Sequence, residues 1–501
     1  MLQNAKALVV VLALALLTFH VCKPIAVQFM REETFDRRRN VWLLLTVSAF
    51  LIPNFWIWVS FSAILLIIAT RLDANPLGLY CFVMLTVPPV SIYIPAPLIN
   101  QLFDLSPLRL LALTVVLGAL LKRAAPGEQR PGGAFTVGDA ALLAFLVLQI
   151  ALLVPYETVT NTMRRSLLLL IDSMVILYAF SRVRDFARLA DIAAALCMAV
   201  VVIAPVAVFE SLRGWLLYPG IPAAWGDPNV FAFLMRGSDL RAQAATGHSL
   251  ALGLYMAIGL ILFEFVRQGK GGSAAMKLGL FCLMAGALIV SYSRGAWVSA
   301  ALGLVTYVVC RPDARRHFGR ILVSTGLLIV IAFVTPLKEK VIDRLPFIGK
   351  TAQDTVDYRQ QLAETSWALV DQHPWFGDPF VTLRMESLRQ GQGIIDIVNG
   401  YLYTALFTGY VGLALQCLLF VLGLLAAWRV LRRTSLPSRE RSLVAALGAC
   451  LVATLLFIAT AGHTAVTLIF CGLLFGADRL TRHVSATRMP PTTSAASGMT
   501  A

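Results

Sequence analysis

Leu278–Cys310 reads LGLFCLMAGALIVSYSRGAWVSAALGLVTYVVC, two apolar arms around the polar centre Ser291-Tyr292-Ser293-Arg294-Gly295. Lys277 and Arg311 stand at its two ends. Lys and Arg gather on the cytoplasmic flanks of membrane helices, so the chain must cross an even number of times between these two. Arg294 then lies at the apex of a hairpin with arms of about 16 residues. At about 1.5 Å per residue an arm spans about 24 Å, short of the roughly 30 Å hydrocarbon core. The guanidinium is therefore held slightly below the outer interface. An Arg costs about 2.5–3.5 kcal/mol at the bilayer centre and less toward the surface, so something anionic should meet it. The plainer alternative is an Arg that snorkels to water or pairs with a carboxylate.

Outward from this stretch the pattern repeats. Apolar runs begin near Ala7, Val41, Trp56, Leu77, Leu108, Phe135, Ser166, Leu189, His248, Ala275, Ala296, Ile321, Tyr401, Leu443 and Thr464. The chain is 58% hydrophobic and 14% charged, with a mean hydropathy of +0.77. A soluble domain carries nearly twice that share of charge. These features predict an all-α, polytopic transmembrane bundle of roughly 12–15 helices. The net charge of +15 is not read as a nucleic-acid footprint. Its Lys and Arg residues cluster between apolar runs, at Lys23 with Arg37–Arg39, at Lys122, Arg123 and Arg130, at Arg182 and Arg184, and onward to Arg479 and Arg482. That is the pattern of a bacterial inner membrane protein. The alternation holds if Pro53-Asn54 turns a hairpin; Arg164-Arg165 is the one misfit. The eight cysteines lie in or beside apolar runs without a C-x-x-C pair, which indicates neither a zinc site nor a disulfide framework. The first run lacks a small-residue cleavage site and reads as a retained anchor.

Two long polar segments fall on the periplasmic side of this topology. Residues 210–247 hold Trp215, Trp225, Asp227, Asn229, Arg236 and Arg241. Residues 338–399 form the largest extramembrane piece. Within it Tyr358, Leu362 and Leu369, with Ala363, Trp367 and Val370 beside them, predict an amphipathic helix lying on the membrane or on the bundle. His373-Pro374 and Gly377 end it. Residues 126–133 and 485–501 read as flexible polar segments. The chain divides into residues 1–240, a membrane domain over 241–480 with its loop 338–399, and a disordered tail from 481.

Arg241, just before the His248 helix, and Arg359, on the amphipathic helix, are placed to converge with Arg294. Arg suits phosphate because its planar fork donates two parallel hydrogen bonds and keeps its charge. Singly, each is an ordinary surface Arg. Asp172, in the run from Leu167 to Phe180, is a costly carboxylate that is either a proton relay or the partner of a buried cation. His248 and His463 flank helix ends, where a lone His is structural more often than not.

Ser291-Tyr292-Ser293-Arg294-Gly295-Ala296, followed by apolar helices and a large loop, resembles the O-antigen ligase and polysaccharide polymerase superfamily. Tyr358-Arg359, His373-Pro374-Trp375-Phe376-Gly377, and Asn399-Gly400-Tyr401-Leu402 leading into Thr408-Gly409-Tyr410-Val411-Gly412-Leu413 are similar to its later motifs. The resemblance covers about half the chain, from Arg241 to Leu480. It implies a glycosyltransferase that moves a glycan from undecaprenyl diphosphate to an acceptor hydroxyl at the periplasmic face, without metal or other cofactor. It gives Arg294 and Arg359, with Arg241, the diphosphate, and Asn399 and Tyr401 an acceptor or structural role. The ligase pattern has a histidine directly before the asparagine, where this chain has Val398. Asp396, three residues before Asn399 on one helical face, and His248 are the substitutes for the missing base.

That departure favours a polymerase of exopolysaccharide or O-antigen repeat units. The alternatives are a ligase, which joins glycan to lipid A-core in lipopolysaccharide, and a transporter or flippase, which draws on Asp172 and the helix count. The implied partners are the lipid-linked glycan, membrane lipids, a chain-length regulator and a flippase, with no nucleic acid.

Overall fold

The computed structural model describes residues 2–96, 100–121, 135–236, 239–312, 353–389 and 395–487. Nearly every apolar run in them is helical, since a greasy segment without water satisfies its N–H and C=O groups most readily within itself. The first half holds α1 (Leu2–Ala26), α2 (Glu32–Leu51), α3 (Phe55–Leu72), α4 (Pro76–Val83), α5 (Pro107–Leu121), α6 (Val137–Leu153), α7 (residues 159–180), α8 (Phe186–Arg213) and α9 (Gly220–Trp225). The second half holds α10 (Ser249–Val266), α11 (Ala274–Val290), α12 (Arg294–Cys310), α13 (Gln353–Val370), α14 (Gly400–Leu431), α15 (Ser438–Ile458) and α16 (Val466–Thr487). Six of these, α1, α3, α8, α10, α14 and α15, are long and apolar enough to cross a membrane, and α5, α6, α11 and α12 are shorter apolar helices. The chain is an all-α polytopic bundle.

The core forms around α8 and α10, whose middle turns are apolar on all sides and which are buried along most of their length. A helix without a polar face has no side to give to water, so it takes the middle of the bundle. α8 packs on α1, α4, α10 and α11, and α15 packs on α10, α12, α14 and α16. Pro53-Asn54 does turn a hairpin: the Asn54 side chain accepts from the backbone N–H groups of Trp56 (2.9 Å) and Ile57 (3.2 Å) and caps α3.

Some expectations are corrected. The run at Leu77 gives only the eight-residue α4, ahead of Pro88-Pro89, whose rings cannot donate to a helix. Between α4 and α5 the chain also forms a β-hairpin, β1 (Ile92–Ala96) with β2 (Asn100–Leu105). α16 runs on to Thr487, past the expected start of the flexible tail. The run near Ile321, residues 126–133, residues 338–352 of the loop and the tail from 488 lie outside the described residues.

Several charged side chains are held by contacts across elements. Arg38, expected at a solvent-facing basic cluster, is wholly buried and meets Asp73 (2.8 Å) and Asp191 (2.6 Å), with the Asn75 carbonyl at 3.1 Å. Asp172 pairs with Arg109 at 2.8 Å, the partner that its second reading expected. The misfit Arg164 donates to the carbonyls of Gln101 (2.5 Å) and Leu102 (2.7 Å), and so fastens the β1–β2 hairpin.

α13 lies on the bundle: Leu362 and Val370 are buried in a cluster with Val381, Met385, Ala405 and Leu406. The turn that follows it is set into a break in α14. Gly409 has φ 64° and ψ −168°, a conformation open essentially to glycine alone. The groups freed there are taken by the turn: Tyr410 N–H donates to the Pro374 carbonyl (2.7 Å), Val411 N–H to that of Trp375 (3.2 Å), and Asp378 N–H to that of Leu406 (2.8 Å). The H-P-W-F-G and T-G-Y-V-G stretches are thus the two halves of one joint.

Candidate functional site

The α11–α12 hairpin has two 17-residue arms and a tight apex at Ser291–Ser293. Tyr292 is forced to φ 50°, uncommon for a bulky side chain. The strain turns the apex carbonyls toward the loop after α8. That loop carries β3 (Met235–Arg236) and β4 (Asp239–Leu240), and Arg241 follows directly. Arg236 Nη1 donates to the Tyr292 carbonyl at 2.9 Å, Arg241 Nε to that of Ser291 at 3.4 Å, and the Tyr292 hydroxyl to Asp239 at 2.9 Å. Arg294 opens α12 half-buried, with its Nε shut from solvent and without a hydrogen-bond partner.

Arg359 arrives on α13, and its Nη2 donates to the Thr460 carbonyl at 3.2 Å. Thr460 also lies against Gly295: a Cβ there would stand 2.3 Å from its hydroxyl. The turn between α15 and α16 therefore binds Arg359 and Arg294 to one place, and the three expected arginines do converge.

A fourth joins them that the sequence did not single out for this role. Arg236 is held less basic than usual by burial and by Arg294 and Arg359. Arg241 is pushed down to about 10 by burial and by Arg236. Arg359 is lowered by burial and Arg294, with Asp396 acting the other way. Three of these guanidinium groups are thus held less basic by burial first and by neighbouring arginines second, and such a gathering of like charge is the arrangement that perturbed values tend to mark. Only the tertiary contact of Arg236 with Tyr292 reveals its membership; in sequence it is one Arg of a loop.

The two candidate bases are close by. Asp396 is exposed, and near enough to Arg359 and His248 to favour their charged forms. Its helical relation to Asn399 is corrected: residues 395–399 precede the helix, with Val398 N–H donating to the Asp396 carbonyl (3.0 Å), and the Asn399 side chain caps α14 by accepting from Tyr401 N–H (3.0 Å) and Leu402 N–H (3.2 Å). The Tyr358 hydroxyl, at 3.0 Å from the Asp396 carbonyl, ties this segment to α13. Tyr401 donates its hydroxyl to the Leu455 carbonyl at 3.1 Å, so both Asn399 and Tyr401 have structural contacts.

His248 caps α10, its Nδ1 accepting from Leu250 N–H at 3.1 Å. Burial and Arg241 hold its pKa below the usual histidine value, against Asp396. It lines a mainly apolar cavity of about 330 Å³ with Leu85, Leu254, Tyr255 and Phe457. A second cavity of about 440 Å³, between α6, α7, α14 and α16, has His463 and Thr464 in common with the lining of the first. The His463 ring is engaged by Thr404 Oγ1 (3.0 Å) and the Gln416 amide (3.3 Å). Its contacts are those of a satisfied structural histidine.

A cationic centre beside apolar cavities is suited to an amphiphile whose head is anionic. No curated protein matches the chain. Residues 279–417 match the family described as O-Antigen ligase. The match begins in α11, contains Arg294, Arg359 and the joint at Gly409, and ends within α14. That region, a little over a quarter of the chain, is similar to a family of membrane enzymes of glycan transfer.

Proposed function

We propose that the protein is a polymerase of undecaprenyl-diphosphate-linked repeat units in exopolysaccharide or O-antigen synthesis. The observation that carries this reading is the convergence of Arg236, Arg241, Arg294 and Arg359, from three separate stretches of chain, on one partly buried place. A diphosphate diester brings two negative charges and several acceptor oxygens, which guanidinium forks match in pairs. The apolar cavity beside His248 suits the start of a polyprenyl chain.

In the reaction the acceptor hydroxyl oxygen bonds to the anomeric carbon of the donor. The bond from that carbon to the phosphate oxygen breaks, its electron pair stays on the diphosphate, and the hydroxyl proton goes to a base. The arginines stabilise the charge that develops on the leaving group. Asp396 or His248, at the rim of the cluster, takes the proton. The site faces the periplasm of a bacterial inner membrane. No metal enters this scheme. A ligase of the same superfamily is the second reading; Val398, where the ligases have a histidine, weighs against it.

The test is the chain length of lipid-linked glycan in cells lacking the gene. Single repeat units on the carrier support the polymerase, long polymer stranded there supports the ligase, and an unchanged profile refutes both. Arg294→Ala should abolish polymer while leaving the protein expressed; near-normal polymer would remove the site assignment.

A further inference from the structure

Glu210 lies in the last turn of α8, wholly buried, and its carboxylate partners are backbone N–H groups. Oε1 accepts from Leu217 at 2.9 Å; Oε2 accepts from Gln243 at 3.0 Å and Ala244 at 2.7 Å. The two oxygens thereby clamp both ends of the loop that carries Arg236 and Arg241. A packing role alone would be met by Leu or Met, without the cost of desolvating a charge. A carboxylate is needed where several N–H groups point at one spot, because it accepts at both oxygens and donates from neither.

The clamp holds a strained turn. Ala244 has φ 46°, a left-handed conformation that disfavours any residue with a Cβ. Two residues earlier, Ala242 N–H donates to the Val290 carbonyl at 3.1 Å, which joins the loop to the base of the Arg294 hairpin. Arg241 N–H donates to the Leu234 carbonyl at 3.0 Å, and Ser211 Oγ to that of Leu240 at 3.2 Å. Arg241 is therefore aimed by a backbone whose last fixed points are the N–H groups that Glu210 holds.

We propose that Glu210 is a positioning residue for the anion site, acting through the Gln243–Ala244 turn to set Arg241 and Arg236, granted that these bind the donor's diphosphate. Glu210→Gln keeps the shape but places an NH2 group against at least one of the three N–H donors. It should weaken binding of undecaprenyl diphosphate to the purified full chain by about tenfold, with turnover at saturating donor changed less than about threefold. Two readouts separate positioning from general destabilisation. On an Arg241→Ala background the same change should add less than about twofold, because residues in one unit are not additive. Ala244→Gly in the Glu210→Gln protein should restore most of the affinity, since glycine adopts φ near 46° without strain.

If Glu210→Gln does not fold, Glu210→Asp, which keeps the acceptor but shortens its reach, should show the same pattern at smaller size. A folded Glu210 variant with wild-type affinity, or effects of Glu210→Gln and Arg241→Ala that multiply, overturns the proposal. Hydrogen exchange over residues 239–247 tests the clamp without substrate. Faster exchange in Glu210→Gln, slowed again by Ala244→Gly, supports it, and unchanged exchange refutes it. Should wild type fail to bind undecaprenyl diphosphate while the exchange responds, the functional reading falls and the clamp stands.

Discussion

Gly409→Ala addresses the joint between the loop and α14. A Cβ on Gly409 would lie 2.3 Å from the Trp375 carbonyl carbon and oxygen and 2.4 Å from Phe376 N, all backbone atoms that no rotamer change can move. The reciprocal position is as tight: a Cβ on Gly377 would meet the Leu406 oxygen at 2.5 Å. The backbone conformation alone costs about 1–3 kcal/mol in a residue other than glycine. Escape from the clash separates the turn from the helix and loses three backbone hydrogen bonds, at about 1 kcal/mol net each. Together these amount to roughly 4–6 kcal/mol, a large part of the stability of an ordinary domain. The loss is local, because the core around α8 and α10 does not touch this joint. Limited proteolysis of the purified protein should show new cleavage within residues 371–389, with α13 displaced and glycan transfer lost while the bundle stays folded. Wild-type proteolysis and turnover in the variant would refute the reasoning.

Other outcomes follow from single contacts. Arg236→Ala should lower affinity for undecaprenyl diphosphate by about tenfold, about the strength of one charge-assisted hydrogen bond; direct binding checks it, and unchanged affinity would put Arg236 outside the site. Arg38→Met should leave Asp73 and Asp191 buried without their cation and destabilise the bundle by about 3–5 kcal/mol, seen as loss of the monodisperse species in detergent. His248 has its pKa held below the usual 6.5 by burial and Arg241, against Asp396. If it accepts the proton, its neutral, competent form persists as pH falls through 6.5, and activity declines only below that value. The same acid limb in His248→Asn would assign it to another group.

The class of protein was written in composition and periodicity. The middle turns of Phe186–Arg213 and Ser249–Val266 are apolar on every side, and such segments find their place as helices removed from water. The Arg294 hairpin was equally legible, since Lys277 and Arg311 bracket two short arms around one polar centre. So was the amphipathic face of α13, because a 3.6-residue period is a local property. What the sequence could not contain was which distant groups meet. Arg236 enters the site only because Tyr292 is strained into offering it a carbonyl, 56 residues away. Asp172 could be a relay or a partner until Arg109 lay beside it, 63 residues distant. Glu210 stood in the sequence only as the first residue of the polar segment 210–247, yet two of its three donors come from 33 and 34 residues on. Residues 395–399 looked helical until Asn399 was seen to spend its side chain as a cap. Patterns that repeat along one element are set by local geometry and burial, and the sequence by itself determined those. Pairings of charge and hydrogen bond across elements depend on how helices pack, and only the tertiary structure decided them.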